Sequence, residues 1–494
     1  MAATITSQFR KNNAIALITE GAIAPTSGAG TGFWIGIGKS DTWETSSAAS
    51  GSVVDSVIPV PDSSNGRANE TLANLICLRN VTAGTGNEFQ PALVYPSNIW
   101  QTGRKYKVYD ASNDACYYAE SSGGVVTAYP CYISHSNNVY LCLGNNNTNS
   151  TVAPTTTTFT ALYETNATDN YRWAFLYTIA SGSPFNLFTF KPIPQIITNT
   201  ITDVVVKGKI YHVRVDNGGS GYSAGTGITT GFTLLVTSDV GVTSNITVST
   251  SITTTVSNGV IQSITITTTS TLIISAASLT FTSATPAKAT VLLSPINGFA
   301  ENRTSVIKAL PCWYAAFYAY YNPAEYILTR TSAMSSADLP NVNDYRQISL
   351  VRNPTRSAIT TSGSTANEES SSAVTLTMDC LKFFVITTGV DAALTTLTLD
   401  SIISQTGTGA LAYFDYYDSL NKHLYFHQNL TSAVNLLAFA AASTITLNGV
   451  SYTYSSIGVP EYVPGTGEVL FLENRKSINR NENQSEEIKL IIQL

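Results

Sequence analysis

The residue types that most often carry out chemistry are scarce in this chain, which has four histidines among 494 residues. His423 and His427 stand four residues apart, a spacing that on a helix would align two imidazoles for metal binding. The intervening residues LYF favour a strand, on which residues four apart lie about 13 Å from each other. We therefore predict a strand here and no metal site. His135 and His212 stand alone, as is typical of histidines on a surface or in a core.

Glycine runs and carboxylate pairs also supply neither a phosphate-binding loop nor a marked glycosidase pair. The runs 28–32 and 218–227 contain no phosphate-binding GxxxxGK[ST] motif, and the first precedes a predicted strand, so no helix N-terminus is available for phosphate. Adjacent carboxylates occur at 368–369 and 486–487, but no spacing marks a glycosidase pair. The sequence thus predicts no catalytic residue, no cofactor and no enzymatic activity.

The cysteines are widely scattered and form no CxxC or CxxxC pair, so their spacing excludes a zinc-ribbon or redox motif. Cys131 and Cys142 could be neighbours on adjacent strands. We nevertheless expect free thiols, because the N-terminal sequence does not resemble a signal peptide and indicates synthesis in the cytoplasm. The six are Cys77, Cys116, Cys131, Cys142, Cys312 and Cys380.

Composition indicates a β-rich protein with polar, weakly charged surfaces. Apolar residues make up 43% of the chain, but charged residues only 12%, about half the usual share of roughly 25%. The net charge of −6 supplies no basic field, which argues against nucleic-acid binding. No window approaches ~18 unbroken apolar residues, so no membrane span is predicted. The 26 tyrosines suit protein–protein contact, because Tyr is enriched at interfaces.

Short strands and turns dominate the predicted elements. Alternating β-branched residues and an Asn258-Gly259 turn predict a small Ser- and Thr-rich β-module, since a two-residue hairpin loop requires positive φ angles. A second such turn is predicted at Asn448-Gly449. The segment 169–179 predicts a strand or a short amphipathic segment, and the aromatic run 311–330 a core strand or helix. We also predict a helix at 5–20 and strands at 33–37, 139–143, 394–399, 411–414 and 444–447.

These elements predict a mainly β fold class, with a multi-domain antiparallel β-sandwich core, few short helices and inserted β-modules. We divide the chain into five parts. They are an N-terminal part of the core at 1–200, the inserted module at 201–292, a continuation of the core at 293–356, a second inserted β-rich region at 357–466 and a C-terminal core hairpin at 467–494.

The final segment concentrates charge in a chain that otherwise has little. Nine of the 22 residues from Glu468 to Lys489 are charged. Apolar runs at Val469–Leu472 and Ile488–Leu494 flank this charge and predict two strands, which we expect to pair as a hairpin. On composition alone, the charged residues between them would form a solvated loop.

Five separated blocks, in this order, resemble the baseplate wedge protein of T-even-type contractile-tailed bacteriophages, the family of the eighth gene product. They are SQFRKNNA (7–14), FWIGIGKSDTW (33–43), DNYRWAFLYTI (169–179), YRQISLVRNPT (345–355) and GEVLFLENRKSINRNENQSEEIKLIIQL (467–494). The stretch VYLCLGNNNTNSTVAPT (139–155) is similar to what cyanophage members carry. The regions 201–292 and 357–466 depart from the family pattern, because they are larger than its short core needs.

The resemblance implies a virion structural protein that links neighbouring wedge subunits during baseplate assembly and the triggering of sheath contraction. It implies other wedge subunits and a second copy of the chain as partners, and no nucleic acid, membrane, small-molecule substrate or cofactor. The implied location is the tail baseplate of the virion, after synthesis in the host cytoplasm.

The block positions chosen as structural or interface residues are Arg10, Trp43, Tyr171, Trp173, Arg346, Arg475, Arg480, Gln484 and Glu486. Among them, Arg475, Arg480 and Glu486 are predicted to form ion pairs. These pairs would fix the C-terminal hairpin to the core or to a neighbouring subunit.

Two other functions remain as alternatives at this point. The Tyr-rich segments and the Thr-rich module also suit a receptor- or glycan-binding tail protein, which would present exposed aromatic side chains. A polysaccharide-degrading enzyme would need two carboxylates facing each other across a cleft.

Overall fold

A computed structural model shows the protein to be mainly β, as the sequence predicts, with several antiparallel sheets and one small barrel. The residues that the structure describes are 7–21, 32–39, 43, 58–62, 64–81, 91–110, 117–122, 125–145, 148–157, 163–193, 208–223, 225–226, 232–238, 243–244, 252–266, 274–282, 285–294, 314–321, 344–355, 360–361, 364–365, 377–388, 391–419, 421–428, 437–458, 460–479 and 484–494.

The described part of the chain contains two helices, one helical turn and many short strands. The helical elements are α1 (Ser7–Gly21), α2 (Asn65–Ala73) and the single turn α3 (Asp391–Leu394). The strands are β1 (Phe33–Gly38), β2 (Leu75–Asn80), β3 (Ala92–Pro96), β4 (Tyr117–Ser122), β5 (Val125–Pro130), β6 (Tyr132–His135), β7 (Asn138–Gly144), β8 (Glu164–Thr165), β9 (Arg172–Thr178), β10 (Phe190–Ile193), β11 (Ile210–Asn217), β12 (Gly225–Thr226), β13 (Phe232–Ser238), β14 (Thr243–Ser244), β15 (Ile252–Ser257), β16 (Val260–Ile266), β17 (Ile274–Phe281), β18 (Lys288–Leu293), β19 (Tyr314–Tyr321), β20 (Tyr345–Arg352), β21 (Thr360–Thr361), β22 (Ser364–Thr365), β23 (Thr377–Asp379), β24 (Lys382–Thr388), β25 (Ile402–Ser404), β26 (Leu411–Asp418), β27 (His423–His427), β28 (Ser443–Leu447), β29 (Val450–Gly458), β30 (Glu468–Ile478) and β31 (Glu486–Gln493).

The chain forms two compact units, and each is built from more than one stretch of sequence. The first comprises 1–14, 92–315 and 492–494, and the second comprises 15–91 and 316–491. The five-part division predicted from the sequence is finer than this one, and its boundaries stay a prediction.

The second unit is built on a sheet of order β23-β2-β1-β20-β30, whose described pairs are all antiparallel. Strand β1 lies at its centre, and all six of its residues are buried because FWIGIG is apolar on both faces. A Cβ atom at Gly36 would lie 2.6 Å from a methyl group of Leu75 on the adjacent strand β2, so the space beside β1 admits only glycine here.

The other face of β1 packs against β19, which completes the predicted β-sandwich within this unit. The rings of Phe33 and Phe317 lie 5.7 Å apart between centroids, and Tyr321 Oη donates a hydrogen bond to the Ile35 carbonyl at 2.7 Å. The described part of the aromatic run, Tyr314–Tyr321, is therefore a strand. Its residues 315–319 are buried on both faces of the strand.

The predicted C-terminal hairpin is wrong, because its two strands belong to different sheets. Strand β30 pairs with β20, whereas β31 is the neighbour of β19. A hairpin would leave the free edges of β20 and β19 without partners. Strand β31 still buries Ile488 and Leu490 on one face.

The Ser- and Thr-rich segment forms a module in the first unit, with strand orders β12-β15-β16-β11-β18 and β14-β13-β17. Ten buried apolar side chains pack together in its core, among them Val213, Ile264 and Leu279. Asn258 and Gly259 join β15 to β16 with φ angles of 53° and 75°. The predicted two-residue hairpin turn is confirmed.

A six-stranded barrel of order β24-β27-β26-β25-β28-β29 forms within the second unit. Buried aromatic and aliphatic side chains fill its interior, including Phe384, Phe426 and Ile445. Asn448 and Gly449 make the predicted turn between β28 and β29, with φ angles of 48° and 77°. His423 and His427 lie on β27, which confirms the predicted strand.

One predicted strand, 394–399, is wrong. The helical turn α3 ends at Leu394, and the residues after it form a turn. Leu394 is buried in the barrel core, and the Thr396 hydroxyl donates to the Ala393 carbonyl at 3.2 Å. This local hydrogen bond gives the backbone an alternative to pairing with a neighbouring strand.

The other predicted elements of the two units agree with the structure more closely. Helix α1 covers most of the predicted 5–20, and β7 covers the predicted 139–143. The segment 169–179 contributes the strand β9. Cys131, between β5 and β6, lies beside Cys142 of β7, with the Cys142 amide donating to the Cys131 carbonyl at 2.8 Å, and neither thiol forms a disulfide. Cys116 and Cys312 lie outside the described residues.

Candidate functional site

The charged strand β30 is held along its outer edge by two short segments from the N-terminal part of the second unit. Trp43 Nε1 donates a hydrogen bond to the carbonyl of Arg475 at 3.0 Å. Asn474 Nδ2 donates to the carbonyl of Pro59 at 3.0 Å, and Gln347 Nε2 donates to Asn474 Oδ1 at 2.8 Å. Two of the predicted residues, Trp43 and Arg475, are thus brought together.

The ion pairs predicted for this segment take a different form. The Arg475 guanidinium lies 3.9 Å from a Glu473 carboxylate oxygen, and both side chains are exposed, so this pair contributes little to stability. Gln484 Nε2 lies 3.5 Å from Glu486 Oε1, and Glu486 is buried. Arg480 lies outside the described residues. Arg475 is therefore attached to the fold through its backbone carbonyl.

Arg346 lies at the start of β20 and is buried. Its guanidinium is 3.6 Å from Asp344 Oδ2, and Ser477 Oγ of β30 donates to the same carboxylate oxygen at 2.6 Å. This chain of contacts joins β20 to β30 beside their backbone pairing. Arg10 lies on α1 and is half-buried.

Sequence reasoning missed Arg352, which joins three segments of the second unit. Its guanidinium lies 3.2 Å from a Glu20 carboxylate oxygen at the end of α1 and also binds Glu468 at the start of β30. Arg352 stands in the block YRQISLVRNPT, so its position within that block was the available signal.

Tyr171 and Trp173 lie in an aromatic core of the first unit and are buried. Their rings stack 5.5 Å apart, and Tyr106 packs edge-on against Trp173 at 5.3 Å. Tyr171 Oη donates to the Thr148 carbonyl at 2.6 Å and accepts a hydrogen bond from the Tyr106 amide at 3.2 Å. These two predicted residues support the core, and they present no surface.

An aspartate and a histidine meet on the barrel, which sequence spacing did not indicate. His427 Nδ1 donates to Asp415, with distances of 2.8 and 2.9 Å to the two carboxylate oxygens, and both side chains are almost fully buried. Asp415 lies at a β-bulge of β26, opposite β27. The contact fixes the orientation and the tautomer of the imidazole.

An open cleft of about 520 Å³ lies in the first unit, between the module strands β11, β16 and β18 and the neighbouring strands β7 and β9. Of the described residues that line it, none is an aspartate or a glutamate. Three are cationic and one is a histidine, namely Lys107, Arg172, Arg214 and His212. The remaining polar lining residues carry amides and hydroxyls.

One of these cations, Arg214, is neutralised by two carboxylates behind the cleft. Its Nη1 lies 2.6 Å from Asp110 Oδ2, and its Nε lies 2.7 Å from Asp216 Oδ1. Tyr211 Oη also donates to the Tyr109 carbonyl. These contacts attach the module to the segment 104–110 and fix the width of the cleft.

Arg172 and His212 have a different environment. Arg172 Nη1 donates to the Tyr211 carbonyl at 3.4 Å, and its guanidinium lies over the Tyr163 ring at 5.1 Å. Among the described residues, no carboxylate lies within ion-pairing distance of Arg172. Burial, together with the positive charges of Arg172 and Arg214, lowers the pKa of His212 from 6.5 to about 4.

No protein-family model and no curated protein sequence matches this chain. Within the described ranges, no group of three His, Cys, Asp or Glu side chains is placed to hold a metal ion. A search of the same residues finds no helix that is long and apolar enough to cross a membrane.

Proposed function

We propose that the chain is a structural subunit of the baseplate wedge in a contractile phage tail. In this role it links neighbouring wedge subunits during assembly and during the triggering of sheath contraction. It acts in the virion after synthesis in the host cytoplasm. Its partners are other wedge proteins and a second copy of the chain, and it carries out no catalysis.

The observation that carries this proposal is the convergence of the sequence blocks. Strand β1 comes from the block 33–43, β20 from 345–355 and β30 from 467–494, and the three are adjacent strands of one sheet. Blocks more than 300 residues apart in sequence therefore make one continuous core, as expected if the resemblance reflects a shared scaffold.

The two regions that depart from the family pattern also support the proposal. The module strands β11–β18 and the barrel strands β24–β29 each enclose a hydrophobic core of their own. A self-contained core allows such a region to be inserted without disturbing the scaffold that carries it. We infer that these regions are additions to a wedge core.

Co-assembly tests the proposal directly. The full chain would be expressed with the neighbouring tail structural proteins of its source genome, and complexes would be separated by gradient centrifugation and imaged. We expect a stable complex that contains this chain. Recovery of the chain as a lone monomer in every mixture would contradict the proposal.

Charge reversal in the C-terminal segment makes the test specific. We expect Arg475→Glu and Arg480→Glu to weaken co-assembly by about tenfold, because charged groups at an interface set partner recognition. Lys382→Glu, the same reversal at an exposed position on the barrel, should leave co-assembly unchanged. If all three variants co-assembled equally well, the C-terminal charges would not belong to the interface.

A receptor- or glycan-binding role is the second candidate function. The observation that favours it is the cleft of the first unit, where a cation without a carboxylate partner lies among amide and hydroxyl side chains.

A further inference from the structure

We propose that the cleft of the first unit binds a carboxylate-bearing sugar, a uronic acid unit of an acidic polysaccharide, with Arg172 as the partner of the carboxylate. The inference does not rest on the baseplate proposal, because the scaffold sheet of the second unit contributes no residue to the cleft. It deepens the glycan-binding candidate by naming the ligand class and the residues that recognise it.

Arg172 is the cationic side chain of the cleft that is best placed to bind an anion. Arg214 already contacts Asp110 and Asp216, so its charge is satisfied within the protein. Lys107 also has a partner within the protein. Arg172 uses one of its N–H groups on the Tyr211 carbonyl and has no carboxylate partner among the described residues. A guanidinium presents a planar fork of donors, which matches a carboxylate in a bidentate manner.

The neighbouring strand β7 leaves room for the Arg172 side chain. Gly144 of β7 pairs directly with Arg172 of β9. A Cβ atom at Gly144 would lie 3.0 Å from Cδ of Arg172. Because glycine has no side chain, the aliphatic part of Arg172 can pack over this position. The guanidinium then lies over the Tyr163 ring, which restricts its orientation at low cost.

The balance of charge favours one negative charge on the ligand over two. The carboxylates of Asp110 and Asp216 lie against Arg214, which lines the cleft, and would repel a second negative charge. His212 stays neutral at neutral pH because its pKa is about 4. A phosphate dianion would thus exceed the single positive charge of Arg172, whereas one carboxylate matches it.

The neutral polar groups of the cleft suit a ligand with many hydroxyls. Thr165 and Asn170 line one wall, and Gln262 and Ser263 of β16 line the other. Amide and hydroxyl side chains both donate and accept hydrogen bonds, as sugar hydroxyls require. The volume of 520 Å³ falls within the range of roughly 300–1,000 Å³ that is usual for ligand sites.

Binding would be measured on the full chain by calorimetry or by NMR titration. The probes are a galacturonate oligosaccharide, a neutral galactose oligosaccharide of the same length, and inorganic phosphate. We expect the galacturonate to bind at least about tenfold more tightly than the neutral sugar, since a charge-assisted contact accounts for a factor of that size. Equal affinity for the acidic and neutral sugars, tighter binding of phosphate, or no binding of galacturonate would each overturn the proposal.

A matched set of variants assigns the binding to Arg172. Arg172→Gln should lower galacturonate affinity by about tenfold while leaving the weak binding of the neutral sugar unchanged. Arg104→Gln removes the same charge at an exposed position of the same unit, outside the cleft, and should have no effect. If both variants lose affinity equally, the attraction is general and the cleft is not the site.

His212 provides a second readout that a purely structural role of Arg172 would not produce. A carboxylate held at Arg172 places a negative charge near the imidazole and so should raise the pKa of His212 from about 4 toward its usual 6.5. NMR of the imidazole in the presence and absence of galacturonate measures this shift. An unchanged His212 pKa at saturating galacturonate would place the ligand elsewhere and overturn the proposal.

The binding and co-assembly experiments test the cleft and the baseplate role independently. A chain that assembles with tail proteins but does not bind galacturonate refutes the cleft assignment alone. A chain that binds galacturonate through Arg172 but never assembles refutes the wedge role alone.

Discussion

Strand β1 of the second unit buries all six residues of FWIGIG, whereas β16 of the module exposes Gln262 and Ser263 between the buried Ile261 and Ile264. Both strands lie inside antiparallel sheets. The first is covered on two faces by other layers, and the second has one face on a core and one toward the cleft. The module keeps this polar face although residues 240–287 contain no charge.

The comparison separates two ways of using a sheet. A layer that is covered on both faces uses all of its side chains for packing, so it serves as a scaffold. A sheet with one polar face leaves side chains available for a ligand, and in the module these include His212, Gln262 and Ser263. The scaffold should therefore be sensitive to the loss of packing, and the module to changes in charge and turn chemistry.

The largest effect is expected in the scaffold sheet. Leu350 lies on β20 between β1 and β30 and is fully buried. Leu350→Ala should lower the free energy of unfolding of the second unit by about 4 kcal/mol, because it removes buried methyl groups and leaves a cavity. Urea unfolding measures this, with Leu399→Ala at an exposed position as the control, expected within about 0.5 kcal/mol of wild type. Equal losses of stability in the two variants would show that the buried scaffold position is no more sensitive to loss of packing than an exposed one.

A smaller effect is expected from the titration of His212 on the polar face of the module. Its pKa is about 4 in the folded protein and near 6.5 in the unfolded chain, so the unfolded state binds the proton more readily between these values. The stability that this group contributes is present above pH 6.5 and is lost as the pH falls toward 4, by up to about 3 kcal/mol.

The His212→Gln variant tests this prediction through its unfolding profile between pH 7 and 4. We expect a flatter profile than that of wild type over this range. The matched variant His135→Gln retains His212, so it should keep the wild-type loss. Parallel profiles for His212→Gln and wild type would show that His212 is not the titrating group.

The smallest of these effects is expected at the module hairpin. Asn258 adopts a φ of 53°, a left-handed conformation that Asn tolerates and Ala does not. Asn258→Ala should destabilise the module by about 1 kcal/mol, whereas Asn258→Gly should change its stability little, since glycine adopts positive φ freely. Hydrogen exchange of the β15 and β16 amides measures both. A loss in the glycine variant as large as that in the alanine variant would contradict the role of φ.

Local elements of this fold were predictable because their causes are local. The Asn-Gly turns, the apolar run of β1 and the strand at His423–His427 follow from side-chain chemistry within a few residues. The helical turn that ends at Leu394 escaped prediction, because the apolar alternation of 394–399 suits a strand until Leu394 is drawn into the barrel core. In the candidate sites, the sequence blocks indicated Trp43 and Arg475 but gave no reason for their contact through a backbone carbonyl.

Composition and local patterns were sufficient to predict a mainly β protein with few charges, cysteines without disulfides at the described positions, and hairpins at 258–259 and 448–449. Long-range packing, in contrast, places β30 and β31 in different sheets, brings Asp415 to His427, and leaves Arg172 in a cleft without a carboxylate partner among the described residues. The physical reason is the distance along the sequence over which each interaction acts. Turn and strand preferences arise within one segment, whereas the partner of an edge strand or a charge depends on which distant segments are packed beside it.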